Sequence, residues 1–275
     1  MSLLAYVIAL EKSVRFKSLQ QDLDLFNISF SKINAIKGSS LDEELLESIV
    51  DRKSTHARLG HEIGLPLIGC ALSHKIVYKE FLKSEARWAL VFEEDVRLES
   101  DIVSKVNEVQ VFCEAEVPRI IQLFTRGERF IKANSIISLS GGSSMFKFAS
   151  IPGQAASYLI NRKAAELAIE SEKIDGPSDW PNWSAKVEFL GIFPYLASES
   201  GIGSTIPTKR VNRINYWGRN LQIVLGIHWI KYKDSFESFS DYKSLVIQPI
   251  LNRVKWVARG KCTFPERNYN GLWLV

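Results

Sequence analysis

The sequence predicts an α/β fold, a mostly parallel sheet flanked by helices, and three stretches carry that prediction. Leu3 to Leu10 is an apolar strand, and the helix beginning at Ser13 shows the four- and three-residue spacing of one buried face through Leu19, Leu23 and Phe26. Ile28 to Ile33 then alternates as a half-buried strand does, so the chain opens strand, helix, strand, the unit of a parallel sheet. Trp88 to Phe92 is a further apolar run, too short for an independent helix and rich in the side chains of a strand buried on both faces.

The other elements follow in order. Gly38-Ser39-Ser40 breaks the opening unit, and Leu41 to Leu59 reads as a short helix and then a polar loop. A Gly- and Pro-punctuated loop from Gly60 to Pro66 leads into a buried helix over Ile68 to Leu82, where Gly69, Cys70 and Ala71 permit close packing or close approach of a ligand. Ser104 to Glu116 is a helix and Arg119 to Phe124 a buried strand, and Gly141-Gly142 marks a polar hairpin or loop. Ala155 to Ile160 is a short strand, after which Asn161 caps a helix from Arg162 to about Ile169. Phe193 to Ala197 is the last strand candidate, and Ser198 to Thr208 a Gly- and Ser-rich loop. The pattern changes near residue 206, which divides a body, 1–206, from a basic, aromatic-rich and helical C-terminal region, 207–275.

Composition narrows the classes. At 275 residues, 46% hydrophobic and 24% charged, the chain is globular with ample capacity for a core. No apolar run approaches the roughly 20 residues that span a bilayer. The start lacks a basic region and a small-residue cleavage site, so it reads as a strand and not a signal peptide, which points to the cytoplasm. Three widely spaced cysteines, Cys70, Cys113 and Cys262, suit free thiols in a reducing compartment and show no paired zinc spacing. The net charge of +4 hides an asymmetry: from Pro207 onward 12 Lys and Arg stand against 4 Asp and Glu, so the first 206 residues are net acidic. Such a tail suits an anionic membrane surface or phosphorylated glycolipid, with nucleic acid or a merely solvated basic face as the competing readings.

The chemistry concentrates where Trp88–Phe92 ends in Glu93, Glu94 and Asp95. Carboxyl ends of strands are where open α/β sheets bind ligands, and three carboxylates there repel unless a cation or donors compensate; otherwise they are a solvated strand end. Strand alternation puts Glu93 and Asp95 on one face, where they can share Mn²⁺ or Mg²⁺ with diphosphate oxygens, while Glu94 points elsewhere. Neither a Walker motif nor a G-x-G-x-x-G occurs, which weighs against ATPases and dinucleotide oxidoreductases. The loop Ile174 to Trp183 holds Asp175, Asp179, Trp180 and Trp183 between prolines; its tryptophans suit either sugar faces or a core edge.

Several segments, in order from residue 5 to about 206, carry a resemblance: Ala5 to Leu10 with Arg15, Ile33 to Gly38, Ile68 to His74, Val91 to Val96, Gly153 to Asn161 with Ala164-Ala165, the Asp179 loop and Ser204-Thr205-Ile206. Together they resemble glycosyltransferase family 25, the bacterial lipooligosaccharide and lipopolysaccharide galactosyltransferase group. The chain departs from it at Glu94, in place of the middle Asp of E-D-D, at Lys37, where an acid usually precedes the glycine, and at Leu67, where Glu is common. The resemblance implies a GT-A fold, inverting transfer of a hexose from a UDP-sugar donor such as UDP-galactose to a lipooligosaccharide acceptor, and Mn²⁺ or Mg²⁺ on Glu93 and Asp95. It further implies donor contacts from Ala9, Glu11, Arg15, Ser73, His74, Glu94 and Gln154, acceptor contacts from Trp180, Trp183 and Glu199, and Asp179 as general base, with Asp175 and Glu199 as alternatives. It places the chain in the cytoplasm, peripheral at the inner face of the inner membrane. A metal-dependent nucleotide-sugar phosphohydrolase or nucleotidyltransferase would use the same acids, and a degenerate, non-catalytic binding module would keep the fold.

Overall fold

The computed structural model describes residues 3–59, 61–113, 116–126, 129–178, 180–201, 238–248, 251 and 272–274. The opening unit forms as its pattern requires: β1 (Ala5–Ala9), α1 (Phe16–Leu25) and β2 (Phe30–Asn34), with β1 and β2 parallel and Ala5 opposite Phe30. Two helices follow, α2 (Glu43–Ile49) and α3 (Arg52–Leu59). The second replaces the expected polar loop, because the Asp51 carboxylate accepts from the Ser54 amide at 2.9 Å and from the Ser54 hydroxyl at 2.8 Å, capping a helix that the few apolar residues do not announce. Helix α4 (Leu65–Leu82) starts with Pro66 in its first turn, where a missing N–H costs nothing.

The chain continues through β3 (Trp88–Glu93), β4 (Val96–Leu98), α5 (Ile102–Phe112), β5 (Arg119–Gln122), β6 (Arg129–Ile131), β7 (Ile137–Ser138) and β8 (Ser144–Lys147). It then forms β9 (Ser157–Asn161), α6 (Arg162–Glu170), β10 (Glu188–Phe193) and β11 (Ala197–Glu199). The expected last strand is therefore two strands either side of Pro194. Asn161 caps α6 by accepting from the Ala164 amide at 3.0 Å, as its position predicts. Gly141 and Gly142 take positive φ in the connection of the antiparallel β7–β8 hairpin.

The main sheet has the order β2-β1-β3-β9-β5-β10-β8-β7. It is mixed: β1 pairs in parallel with β2 and β3, and β5 with β10, whereas β9 runs antiparallel to both β3 and β5, and β8 to β10 and β7. Both faces are covered. Val7, Leu90 and Phe92 pack with Leu19, Leu23, Ile102 and Val106 on one side, while Tyr6, Ile8 and Val91 pack with Val77, Phe81, Ala164 and Ala165 on the other. Alternate residues of the same strands thus serve two cores, which is why these strands read as continuous apolar runs.

Two small sheets stand beside it, β4 with β11 and β12 (Leu272–Leu274) with β6. The latter belongs to the C-terminal region, most of which lies outside the described residues. Its described parts return to the body: Tyr242 and Val246 are buried in one cluster with Ala57. Among the described residues no helix is long and apolar enough to cross a membrane.

Candidate functional site

The sheet delivers the acids to a cleft. β3 ends at Glu93, Glu94 and Asp95 form a turn, and β4 leaves to pair with β11. The turn is fixed on every side: the Glu93 amide donates to the Ala156 carbonyl at 2.8 Å, the Ser200 amide to the Asp95 carbonyl at 2.8 Å, and the buried Asp22 of α1 accepts from Arg97 at 2.7 Å and 2.8 Å and from the Leu98 amide at 3.0 Å. All three acids line a cleft of ≈ 350 Å³ together with Leu10, Arg15, Ile36, Lys37, Cys70 and Ser73. That volume falls in the range of small-molecule sites.

Each carboxylate has its own surroundings. Glu94 is buried; it accepts from the Leu10 amide at 2.8 Å and forms a close ion pair with Arg15. Arg15 uses its other terminal nitrogen on Asp95 at 3.3 Å. Glu93 turns the opposite way and accepts from His74 Nε2 at 3.2 Å and from the Cys70 thiol at 3.3 Å. The expectation that Glu93 and Asp95 share a strand face is therefore corrected in its reasoning: the strand stops at Glu93, so alternation does not extend to Asp95. Both nonetheless reach the cleft, with side chains 27% and 19% exposed, whereas Glu94 is tied to Arg15 and the backbone.

Electrostatics separates the two cleft acids. Burial, and then the Glu93 charge, push the Asp95 carboxyl up, against the opposing pull of Arg15. Burial also disfavours the Glu93 charge, but hydrogen bonding and charge from His74, the Cys70 thiol and the Arg126 charge outweigh it and hold that carboxyl down. A negative group beside one that resists ionisation is an arrangement a hard divalent cation would relieve, and oxygen donors of this kind suit Mn²⁺ or Mg²⁺. Glu93 and Asp95 are the residues that would hold it.

The rim is built by close approach. Gly69 of α4 lies against the β2 exit, where an added Cβ would stand 2.4 Å from the Ile36 carbonyl oxygen and 2.6 Å from the Gly38 nitrogen. One turn on, Ser73 donates to the Gly69 carbonyl at 2.8 Å and accepts from the Ile36 amide at 2.9 Å. Ser73 is fully buried, so it positions the 36–38 loop. His74 is buried behind the cleft in a relay: Tyr78 and Tyr158 hydroxyls are 2.9 Å apart, and Tyr158 is 2.7 Å from His74 Nδ1. Burial raises both tyrosines far above their ordinary range, so they remain donors. The groups form one hydrogen-bonded chain, Tyr78 to Tyr158 to His74 to Glu93, in which the protonation of the imidazole sets the direction of each bond.

Of the expected donor residues, the structure thus gathers Arg15, Ser73 and Glu94 at the cleft, with His74 behind Glu93. Ala9 is a buried strand residue whose carbonyl accepts from the Ala35 amide at 2.8 Å, and Glu11 is exposed on the following turn. Gln154, at φ 77°, forms a separate cluster: its side-chain oxygen accepts from the Arg126 amide at 2.7 Å, its amide donates to Glu199 at 3.3 Å, and Glu199 pairs with the Arg126 guanidinium. Arg126 acts electrostatically on Glu93 and Asp95, and the sequence reading missed it because no motif surrounds it.

The tryptophan expectation is corrected. Trp180 is completely buried, with Tyr158 and Phe189 rings each 5.1 Å from its own, and Trp183 is buried edge-on to Tyr78 at 6.0 Å. Neither offers an open face to a sugar; both close the core beneath the loop. Asp175 accepts from the Asn182 amide at 3.2 Å in that loop. Asp179 lies outside the described residues.

Residues 3–179 match the family described as glycosyltransferase family 25 (LPS biosynthesis protein). No curated protein matches the chain. Among solved structures it is similar to a glycosyltransferase involved in the glycosylation of the major capsid of PBCV-1, at 10% identity over 66% of each chain with a TM-score of 0.28. It is also similar to the inositol-1-phosphate CTP transferase from T. maritima, at 10% identity over 81% of this chain and 97% of that one with a TM-score of 0.35. With its matched segment running from the first strand into the tryptophan loop, and the acids, Arg15 and the Gly69–His74 turn all inside it, the chain belongs to glycosyltransferase family 25.

Proposed function

We propose that this glycosyltransferase moves galactose from UDP-galactose, with inversion, onto a core sugar of a lipooligosaccharide or lipopolysaccharide, within a GT-A arrangement. Membership of the family implies a nucleotide-sugar donor and a glycan acceptor. The observation that carries the donor reading is the cleft at the end of β3, where two acids stay accessible while Arg15 neutralises a third. In this reading the 36–38 loop and Lys37 border the nucleotide, Arg15 keeps the acids in place, and Glu93 and Asp95 hold Mn²⁺ or Mg²⁺. A cation there would stabilise charge developing on the departing diphosphate. Asp179 is the proposed base that takes the acceptor hydroxyl proton, Gln154 a proposed donor contact, and Glu199, paired with Arg126, a proposed acceptor contact.

The test is a panel of UDP-sugars with purified enzyme, a lipooligosaccharide acceptor and controlled Mn²⁺. Transfer restricted to UDP-galactose, lost with EDTA and restored by Mn²⁺, is expected; transfer insensitive to EDTA sinks the metal assignment. Asp179→Asn should abolish turnover while UDP still binds, and full activity in that variant removes Asp179 as the base. The basic region, 207–275, is proposed to dock on the anionic inner leaflet, keeping the protein cytoplasmic and peripheral. Binding to phosphatidylglycerol vesicles that falls with salt is the expected result; equal binding to neutral vesicles in high salt contradicts it.

A further inference from the structure

A second cluster of ligand-type atoms sits immediately behind the acids and shares Glu93 with the proposed cation site, while its other two members take no part in the transfer reading. Cys70 and His74 are four residues apart on α4 and so share one helix face, the spacing by which a single helix can present two metal ligands. Glu93 approaches from the end of β3. The Cys70 Sγ, a His74 ring nitrogen and a Glu93 carboxylate oxygen all lie within 4.8 Å of one another. Two of the separations are 3.3 Å, sulfur to carboxylate, and 3.2 Å, Nε2 to carboxylate. A tetrahedral zinc site with bonds of ~2.0–2.3 Å sets its ligand atoms roughly 3.3–3.8 Å apart, so these contacts already approximate its edges.

From this geometry we infer that Cys70, His74 and Glu93 form a three-ligand site for Zn²⁺. The donor set decides the metal: a thiolate and an imidazole favour zinc, whereas Mn²⁺ and Mg²⁺ prefer the all-oxygen environment of the acids. A support for the histidine is already in place. Tyr158 stands 2.7 Å from Nδ1, where its hydroxyl can accept the Nδ1 proton when Nε2 binds the ion, with no heavy atom displaced. Cys70 and Glu93 both line the cleft, which gives the ion an entry path and leaves room for a fourth ligand from solvent. The buried Ser178 hydroxyl, 3.1 Å from Sγ, closes the opposite side. On binding, the thiol proton leaves to solvent, while the imidazole stays neutral with its one proton on Nδ1, where Tyr158 accepts it.

The test reads metal binding and not transfer, so it stands or falls separately from the proposed function. Reduced, metal-free full-length protein is titrated with Zn²⁺ against a chromogenic chelator, and with Co²⁺ by absorption spectroscopy. Cys70→Ser and His74→Gln should each weaken the tightest zinc site at least tenfold, and Cys70→Ser should remove a thiolate-to-cobalt charge-transfer band seen with the wild type. Asp95→Asn should leave zinc affinity within about twofold. Far-ultraviolet circular dichroism identifies a misfolded variant, and Glu93→Gln supplies an independent third ligand deletion. Unchanged zinc affinity in folded Cys70→Ser, a wild-type cobalt spectrum without a thiolate band, or an Asp95→Asn loss as large as that of Cys70→Ser would overturn the site.

Discussion

Arg15 meets two carboxylates with two different nitrogens, which a lysine ammonium, a single point of charge, does not reproduce. Arg15→Lys is therefore expected to resemble Arg15→Ala: donor affinity measured by calorimetry should fall on the order of tenfold or more in both, since removing one partner of a buried ion pair leaves the other uncompensated. Restoration of wild-type affinity by lysine would show that only net charge matters. The neighbouring acids respond to pH with opposite signs. Asp95 has a raised carboxyl, so the stability associated with its proton is present below its ordinary value of 3.8 and lost as pH rises through the folded value. Metal-free Asp95→Asn should therefore melt higher than the wild type at neutral pH, with the gain vanishing in acid. Glu93 is held below its ordinary 4.5, so its contribution is present at neutral pH and lost as pH falls, and Glu93→Gln should melt lower at pH 7.

At the scale of elements, the clasp between α4 and the β2 exit is the most exposed to substitution. Gly69→Ala places a methyl group against the Ile36 carbonyl and should cost about 1–3 kcal/mol in chemical denaturation, the usual penalty of overpacking, and shift donor binding through the displaced 36–38 loop. The alanine's better helix propensity, ~1 kcal/mol, works against that loss without cancelling its upper range. Much of this layer was legible in the sequence. Apolar runs announced β1, β3, β5 and β9, and Asn161 announced the start of α6. The direction of β9 was not legible, because a strand buried on both faces reads the same whichever way it runs. Short strands such as β6 and β7 lack the length for a period, and Arg126 meets the acids only through folding. The acids themselves were correctly located, but the reasoning from alternation assumed a strand that stops two residues short of Asp95.

Taken whole, the chain does not divide cleanly where its composition changes. Tyr242 and Val246 bury themselves in the Ala57 cluster, and β12 adds to β6, so described parts of the basic region are fastened to the body. Truncation after Ile206 should lower the melting temperature as well as vesicle binding, the loss of two buried side chains alone costing about 3–6 kcal/mol. Charge reversal at Arg253 and Lys255 should reduce vesicle binding while leaving melting within a degree or two; an equal drop in melting would make the effect structural. The reversed strand β9 has a consequence for how such an enzyme diversifies. Because it runs against β3 and β5, the segment that enters it, Gly153 to Ala156, arrives at the same rim as the segments that leave its neighbours. That entry segment can be lengthened or exchanged while β3 and its acids keep their register, so grafting there reshapes the rim without rebuilding the end of the sheet that carries the acids.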